Sequence, residues 1–381
     1  MKKVSLYIII TLILISCVHK KESGIISDLI VPNDFNWHSI EEVNIILPST
    51  STIINQDGDT LAHAIPAGEY NLFLSKNSSF SVIPEATTPL TKAIGGGVIK
   101  ETIYFPAKNR YATIMFEDLF PSKGDMDMND VVFGFNLELY LDNQSRLRSF
   151  RINIQPRATG SSYRKIGIAA ALYSGMSSNY VDRIFHSTNG YISDLFNVTT
   201  GSNNSYSTEI GAGFDVIPLT GNFRNHFSNN SELFINVRNI DPPSDTESFW
   251  VEVELLSNRI FPISQFTLLQ APSLGRVNLD IFSVFGQRGK EVHFKNGRAT
   301  NLFHFPFFIA SQTNNFSTVD NWVWAILSDK SVRHPQEFVK IYNAYPPFKT
   351  WAESGGSSAN EWHSVSVLDS LFSAKDFNYI N

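Results

Sequence analysis

Apolar and polar residues alternate along two neighbouring stretches near the middle of the chain. Apolar side chains occupy every second position from Phe133 to Leu141, and alternation resumes from Leu147 to Gln155. A period of two over such lengths predicts two β-strands, each with one buried face. The four residues 142–145, Asp-Asn-Gln-Ser, are turn formers, so the two strands are predicted to form a hairpin.

Shorter runs of β-forming residues, separated by turn residues, occur on both sides of this hairpin. They cover 43–47, 67–74, 80–84, 111–116 and 249–255. Helical spacing appears only late, after Pro335, and Pro346 and Pro347 interrupt it before a short turn at 348–353. The pattern predicts a mainly β protein with antiparallel, sandwich-like packing and one or two short C-terminal helices.

The N-terminus reads as an export signal. Lys2 and Lys3 precede an apolar run over 6–15, which is too short to cross a bilayer comfortably. Ser16 and Cys17 follow it and match the processing box of bacterial lipoproteins. We expect cleavage before Cys17 and acylation of this residue; the alternative is an ordinary signal peptide that happens to contain a cysteine. Cys17 is the only cysteine of the chain, so no disulfide can form within one chain.

This interpretation divides the chain into four parts: signal peptide 1–16, lipidated cysteine and tether 17–40, a small N-terminal β region 41–100, and a larger β-domain 101–381. It predicts a lipid-anchored protein of the bacterial cell envelope, in the outer membrane, and leaves open whether the protein faces the periplasm or the cell exterior. The formal net charge is -6, and basic residues form no dense cluster beyond Lys20 and Lys21. Nucleic acid is therefore not an expected partner.

The residues between 116 and 130 form the chemically most distinctive segment. The carboxylates and the amide that it concentrates are Glu117, Asp118, Asp125, Asp127, Asn129 and Asp130. Oxygen ligands at alternate positions suit Ca²⁺, although Asp130 and Asn136 stand where an EF-hand would have Gly and Glu. We expect one Ca²⁺ to be bound here, with Glu117 or Asp118 completing the ligands. The alternative is an acidic turn whose charges are solvated.

The same segment resembles the signature of LruC-domain proteins, a bacterial cell-envelope group without an established reaction. It has their Phe-Glu-Asp-Leu, Pro-Ser, Gly-Asp and Asn-Asp-Val-Val elements, and three further segments resemble the family in order: 156–163, 291–293 and 344–356. Val323 and the turn at 294–297 depart from the family pattern, which leaves the local turn shape open. The resemblance implies a lipidated or secreted envelope protein, mostly β.

Motifs for catalysis are not found: the sequence has no Gly-x-Ser-x-Gly elbow, P-loop, dinucleotide fingerprint or His-Glu-x-x-His helix. His293 and His334 are isolated in the sequence. We therefore expect a non-enzymatic lipoprotein with a calcium-stabilised β-domain that binds a glycan or protein partner. A carbohydrate-binding module is the first alternative, favoured if Trp322, Trp324, Trp351 or Trp362 were exposed in a groove. A metal-dependent hydrolase is the second, favoured if two histidines reached the acidic loop.

Overall fold

The computed structural model describes residues 29–85, 101–175 and 179–379. Strands dominate these residues, and the helices are short. The strands are β1 Ile40–Leu47, β2 Ser51–Asn55, β3 Thr60–Ile65, β4 Gly68–Ser75, β5 Phe80–Pro84, β6 Thr102–Phe105, β7 Ala112–Phe116, β8 Val131–Leu141, β9 Arg146–Ala158, β10 Ile166–Ser174, β11 Val181–His186, β12 Ser205–Tyr206, β13 Asp215–Thr220, β14 Phe249–Leu255, β15 Phe261–Pro262, β16 Phe266–Leu268, β17 Val277–Phe285, β18 Glu291–His293 and β19 Ala325–Ser328. The α-helices are α1 Pro306–Ser311, α2 Ile341–Ala344 and α3 Pro347–Glu353.

The strands form one large sheet and two smaller ones. The large sheet follows the order β12-β11-β14-β9-β8-β6-β3-β2-β5, with β15 on β9, and with β7 joining β8 to β19. The second sheet follows the order β13-β10-β17-β16, with β18 on β17, and β1 pairs with β4 separately. These pairs are antiparallel except for β16 with β17. The expectation of a mainly β, antiparallel, sandwich-like fold is thus confirmed.

The predicted hairpin is β8 and β9, in which Leu137 lies opposite Ile152. Its turn forms as expected, because the Asp142 carboxylate accepts a hydrogen bond from the Gln144 N–H at 2.9 Å. The second face of β8 is also buried, where the sequence pattern predicts exposure. On that face the Asn136 side chain donates to the Arg110 carbonyl at 2.8 Å. A polar residue thus lies inside because the loop before β7 satisfies its amide.

The main core lies between the large sheet and the β10–β17 sheet. Both β10 and β17 are buried along their whole length, so each of their faces is covered. Ring contacts join the layers: Phe116 on β7 packs edge-on to Phe294 at 5.7 Å. A second apolar cluster, containing Trp37 and Trp351, packs the N-terminal residues against α3.

The C-terminal helices begin later than their sequence signals suggest. Pro335 lies in an isolated bridge to Leu371, and helical structure starts only at Ile341. Pro346 and Pro347 do not only interrupt a helix: Pro347 is the first residue of α3, a position where its missing N–H costs nothing. Helix α1 has no counterpart in the sequence prediction.

Cys17 and the signal segment lie outside the described residues. Among the residues that are described, no helix is both long and apolar enough to cross a bilayer.

Candidate metal centre

The acidic loop connects two paired strands. Strand β7 ends at Phe116, which lies directly opposite Val131, the first residue of β8. The loop therefore leaves the large sheet and returns to it at neighbouring points. A rigid sheet holds both ends of the loop, which limits the positions that the carboxylates between them can take.

Three carboxylates of the loop converge. Oxygen atoms of Glu117, Asp125 and Asp127 lie within 4.8 Å of one another. Glu117 and Asp127 are buried and Asp125 is half-buried. Among the ion pairs of the described residues, none joins these three carboxylates to a lysine or arginine. Lys123, the basic residue of the loop, pairs with Asp320 at 2.6 Å.

Backbone amides fix two of these side chains. The Met128 N–H donates to Glu117 Oε1 at 2.7 Å, and the Phe338 N–H donates to Asp127 Oδ2 at 2.8 Å. Gly124 has φ +76°, and a Cβ there would come within 2.6 Å of Glu117 Oε2. Glycine suits this position, because a positive φ strains other residues and a Cβ would displace the Glu117 carboxylate.

Two further side chains face the same centre. Asn129 belongs to the predicted set, and Glu337 does not. A Cβ on Gly160 would lie 2.1 Å from Asn129 Oδ1 and 2.7 Å from Glu337 Oε2, so both side chains pass over the same glycine. The centre therefore joins the acidic loop to two distant segments of the chain.

Several buried polar atoms at this centre have no hydrogen-bond partner. They are Glu117 Oε2, both polar side-chain atoms of Asn129, and Glu337 Oε2. Each such atom costs about 1–3 kcal/mol when it is left unsatisfied. A bound cation would satisfy the oxygens together, which is the simplest physical reason for placing them side by side.

Asp118 and Asp130 form an adjacent pair. Asp130 Oδ2 accepts the Asp118 N–H at 2.7 Å, and Asp118 Oδ2 accepts the Ser161 hydroxyl at 2.5 Å. Lys290 Nζ lies beside them and donates to the Asp118 carbonyl at 2.6 Å. Of the six predicted ligands, the structure thus brings Glu117, Asp125, Asp127 and Asn129 to the centre and holds Asp118 and Asp130 next to it.

The electrostatics show how crowded the negative charge is. Burial, followed by repulsion from Asp125 and Glu337, raises the pKa of Asp127 to about 8. Burial, followed by repulsion from Asp130 and Asp127, raises the pKa of Glu117 well above its usual range. The pKa of Glu337 rises to about 7, first through burial and then through Asp125. Ionised carboxylates at this centre therefore need a counter-charge.

The donor set suits a hard cation. Carboxylate and amide oxygens are the ligands of Ca²⁺ and Mg²⁺, whereas Zn²⁺ favours nitrogen and sulfur. The two histidines considered from the sequence have other partners: His293 lies between Asp280 and Glu291, and His334 bonds the Asn236 carbonyl at 2.6 Å. The centre can hold a divalent cation through oxygen.

The sequence contains no local signal for Glu337, which lies far along the chain from Asp127. The segment around Gly160 had a signal, because 156–163 is one of the stretches that resemble LruC-domain proteins. Arg157, in the same stretch, points elsewhere and donates to Thr113 Oγ1 and Ser331 Oγ. Trp322, Trp324, Trp351 and Trp362 are all buried, so these indoles belong to the core.

Comparisons with known proteins identify one solved structure with a shared fold and one family. A crystal structure of a candidate lipoprotein from Bacteroides ovatus aligns with a TM-score of 0.53, at 16% identity, over 88% of this chain and 94% of that chain. Such a low identity shows a shared fold alone. No protein of curated function matches the sequence. A family profile described as a domain of unknown function, DUF4842, matches residues 145–363. This match covers more than half of the chain, which therefore belongs to the DUF4842 family.

Proposed function

We propose that this protein is a non-enzymatic, lipid-anchored envelope protein whose β-domain is stabilised by Ca²⁺ and binds an envelope or extracellular partner. The observation that carries the calcium proposal is the convergence of Glu117, Asp125 and Asp127 around unpartnered oxygens of Asn129 and Glu337. Five side chains would supply most of the six to eight oxygen ligands that Ca²⁺ takes. Backbone carbonyls or water would supply the remainder.

Ca²⁺ is favoured over Mg²⁺ by the number and spacing of the side chains. Mg²⁺ demands a small octahedral shell at about 2.0–2.1 Å and keeps several waters, so it is usually held by one or two carboxylates. Three carboxylates meet here, those of Glu117, Asp125 and Asp127, and the Glu337 carboxylate interacts electrostatically with Asp125 and Asp127. A larger, flexibly coordinated cation suits this set better.

The anchor is Cys17. Its acylation is proposed from Lys2, Lys3, the short apolar run and Ser16, and the fold shared with a candidate lipoprotein supports it. Several acyl chains would hold the protein permanently, since each buried CH₂ contributes about 0.8 kcal/mol. We place the anchor in the outer membrane. The closer relationship to LruC-domain proteins rests on the four ordered sequence segments.

The two alternatives have less support. A carbohydrate-binding module was expected to present tryptophan, and the four candidate indoles are buried. Phe338, an exposed aromatic residue, lies next to the candidate metal centre, where its N–H donates to Asp127. A metal-dependent hydrolase was expected to bring two histidines to the acidic loop, and His293 and His334 have other partners. We therefore propose a binding function without turnover.

Isothermal calorimetry tests the calcium proposal. The wild-type protein and the Asp127→Asn variant are stripped with chelator, dialysed and titrated with Ca²⁺. Asp57→Asn is the matched control, because Asp57 is an exposed carboxylate on the β2–β3 turn. We expect saturable binding by wild type and Asp57→Asn, and its loss in Asp127→Asn. Equal heats of Ca²⁺ binding in all three proteins, or no heat of binding in wild type, would contradict the calcium proposal. The loop would then be an acidic turn without a cation site.

A further inference from the structure

Four large apolar side chains, from the first described residues, from α1 with its preceding residue, and from the loop that follows α1, are highly exposed. Ile30 is 78% exposed, Phe305 59%, Ile309 80% and Val319 68%. We refer to these four residues as the apolar face. Phe305 and Ile309 border an open groove of about 610 Å³, whose lining includes Gly297 and Phe308.

The chain enters the folded domain beside this face. Asn321 Nδ2 donates to the Pro32 carbonyl at 2.6 Å, and Lys295 Nζ donates to the Phe35 carbonyl at 3.0 Å. Lys295 lies two residues before Gly297 in the groove, and Asn321 two residues after Val319. The first described residues, the groove and the 313–321 loop therefore pack against one another.

This position limits how far the domain can lie from its anchor. Twelve peptide units separate Cys17 from Leu29. A fully extended chain of that length spans at most about 43 Å, at roughly 3.6 Å per residue. The first described residues lie at the domain end of this connection, so they stay within that distance of the acylated Cys17.

We propose that the apolar face rests on the lipid bilayer, with Phe305 and Ile309 at the tip of α1 inserted into the interfacial region. This inference rests on the lipid anchor at Cys17 proposed above. Exposed apolar side chains that border one groove, as Phe305 and Ile309 do, mark an interaction site. A bilayer is the partner already within reach, and interfacial insertion removes their apolar area from water.

Contact between the apolar face and the bilayer would fix the orientation of the domain, which a flexible anchor alone does not. With Ile30 and α1 against the lipid, the domain stands in one pose at the membrane surface. Shallow insertion of a few side chains is reversible by itself, but the covalent anchor raises the local concentration of the bilayer, as any tether does.

Site-directed nitroxide labels test the proposal in the lipidated chain. Acylation occupies Cys17, so an introduced cysteine is the only free thiol. Ile309→Cys places the label on the apolar face. Ile240→Cys is the matched control, because Ile240 is also highly exposed and follows Asn239, which bonds the Leu371 carbonyl. Both proteins are reconstituted in phosphatidylethanolamine–phosphatidylglycerol vesicles, and equal melting temperatures verify folding.

We expect the label at 309 to collide several-fold more with oxygen than with a water-soluble nickel chelate, and the label at 240 to show the reverse. Water-like collisions at both sites, in protein that floats with vesicles, would overturn the apolar-face proposal and leave the anchor intact. Failure of the protein to float with the vesicles would contradict both the lipid anchor and the apolar-face proposal. A label at 309 shielded from both reagents without vesicles would show that protein covers the face, and would also overturn the proposal.

Discussion

Removing Ca²⁺ should change both the stability of the protein and the protonation of its acidic centre. Without a cation, the folded protein holds a proton on Asp127 up to a pH of about 8, because burial and the neighbouring Asp125 raise its pKa. The unfolded chain releases that proton near its ordinary pKa of 3.8. Stability of the metal-free protein should therefore fall as the pH rises from about 4 towards about 8.

The size of the effect follows from the pKa difference. Between the unfolded pKa of 3.8 and pH 7 lie roughly three pH units, and over this interval Asp127 is ionised in the unfolded chain and protonated in the folded protein. At about 1.36 kcal/mol per unit, this costs about 4 kcal/mol as an order-of-magnitude upper figure. A bound Ca²⁺ reverses the sign, because it favours the ionised carboxylate. A hundredfold excess over Kd stabilises the folded state by about 2.7 kcal/mol, which raises the melting temperature by a few degrees.

Two measurements check this reasoning. Thermal melts of the wild type with chelator should show a lower melting temperature at pH 7.5 than at pH 5.5, relative to Asp127→Asn under the same conditions. Calorimetric titrations with Ca²⁺ at pH 7, in buffers of different ionisation enthalpy, should show net proton release, since Asp127 and Glu337 have raised pKa values.

The variant makes the experiment decisive. In chelator, Asp127→Asn should be at least as stable as wild type, because the amide removes a buried acid and can still accept the Phe338 N–H. In Ca²⁺, the same variant should be the less stable protein. A variant that is destabilised equally in both conditions would show that Asp127 acts only through its hydrogen bonds. Calcium binding without proton release at pH 7 would refute the assigned pKa directions.

Three further outcomes are expected. Glu337→Gln should weaken Ca²⁺ binding about tenfold, or about 1.4 kcal/mol, by removing one carboxylate from the centre, whereas Glu232→Gln at an exposed position should leave the calorimetric Kd unchanged; equal constants would exclude Glu337 as a ligand. Burial lowers the pKa of His334 to about 4, so its contribution is complete above pH 6.5 and is lost as the pH falls; denaturant titrations should show that His334→Gln loses about 2 kcal/mol less than wild type between pH 7 and pH 5, and identical losses would contradict this. Cys17→Ser should abolish labelling by a lipid precursor and release the protein from the membrane fraction, and retention of an unlabelled variant would count against the anchor.

Local sequence patterns predicted those parts of the fold that depend on residues close together in the sequence. Strand β14 forms over the predicted residues, and the β8–β9 hairpin turns at Asp142. The alternation of apolar and polar residues in β8 did not predict that its second face is buried. The loop before β7 covers Asn136 on that face, and the sequence of β8 carries no information about this loop. The start of helical structure at Ile341 was missed for a related reason. Its N–H bonds the Met126 carbonyl in the acidic loop at 2.8 Å, a partner distant in sequence.

The same distinction applies to the candidate metal centre. Asp125, Asp127 and Asn129 alternate in a single loop, so their sequence spacing already indicates oxygen ligands for one cation. Glu337 reaches them only because the chain returns after β19 and the Phe338 N–H bonds Asp127. A positive φ of 64° turns Phe338 outward at this point, an unusual conformation for a bulky residue. Nothing in the order of residues around 337 marks this return.

The arrangement suggests why a cation would matter to a fold that has no disulfide. The acidic loop meets the segment around Gly160 and the segment from Glu337 to Ile341 at one point, and these three segments are far apart in the chain. A cation held by side chains from two of them closes a long loop, as a covalent link would, and long closures constrain the unfolded chain most in the entropic account. The carboxylates repel each other when the cation is removed. If Ca²⁺ binds as proposed, the centre links the large sheet to the C-terminal helices, and the strength of this link depends on the Ca²⁺ concentration around the protein.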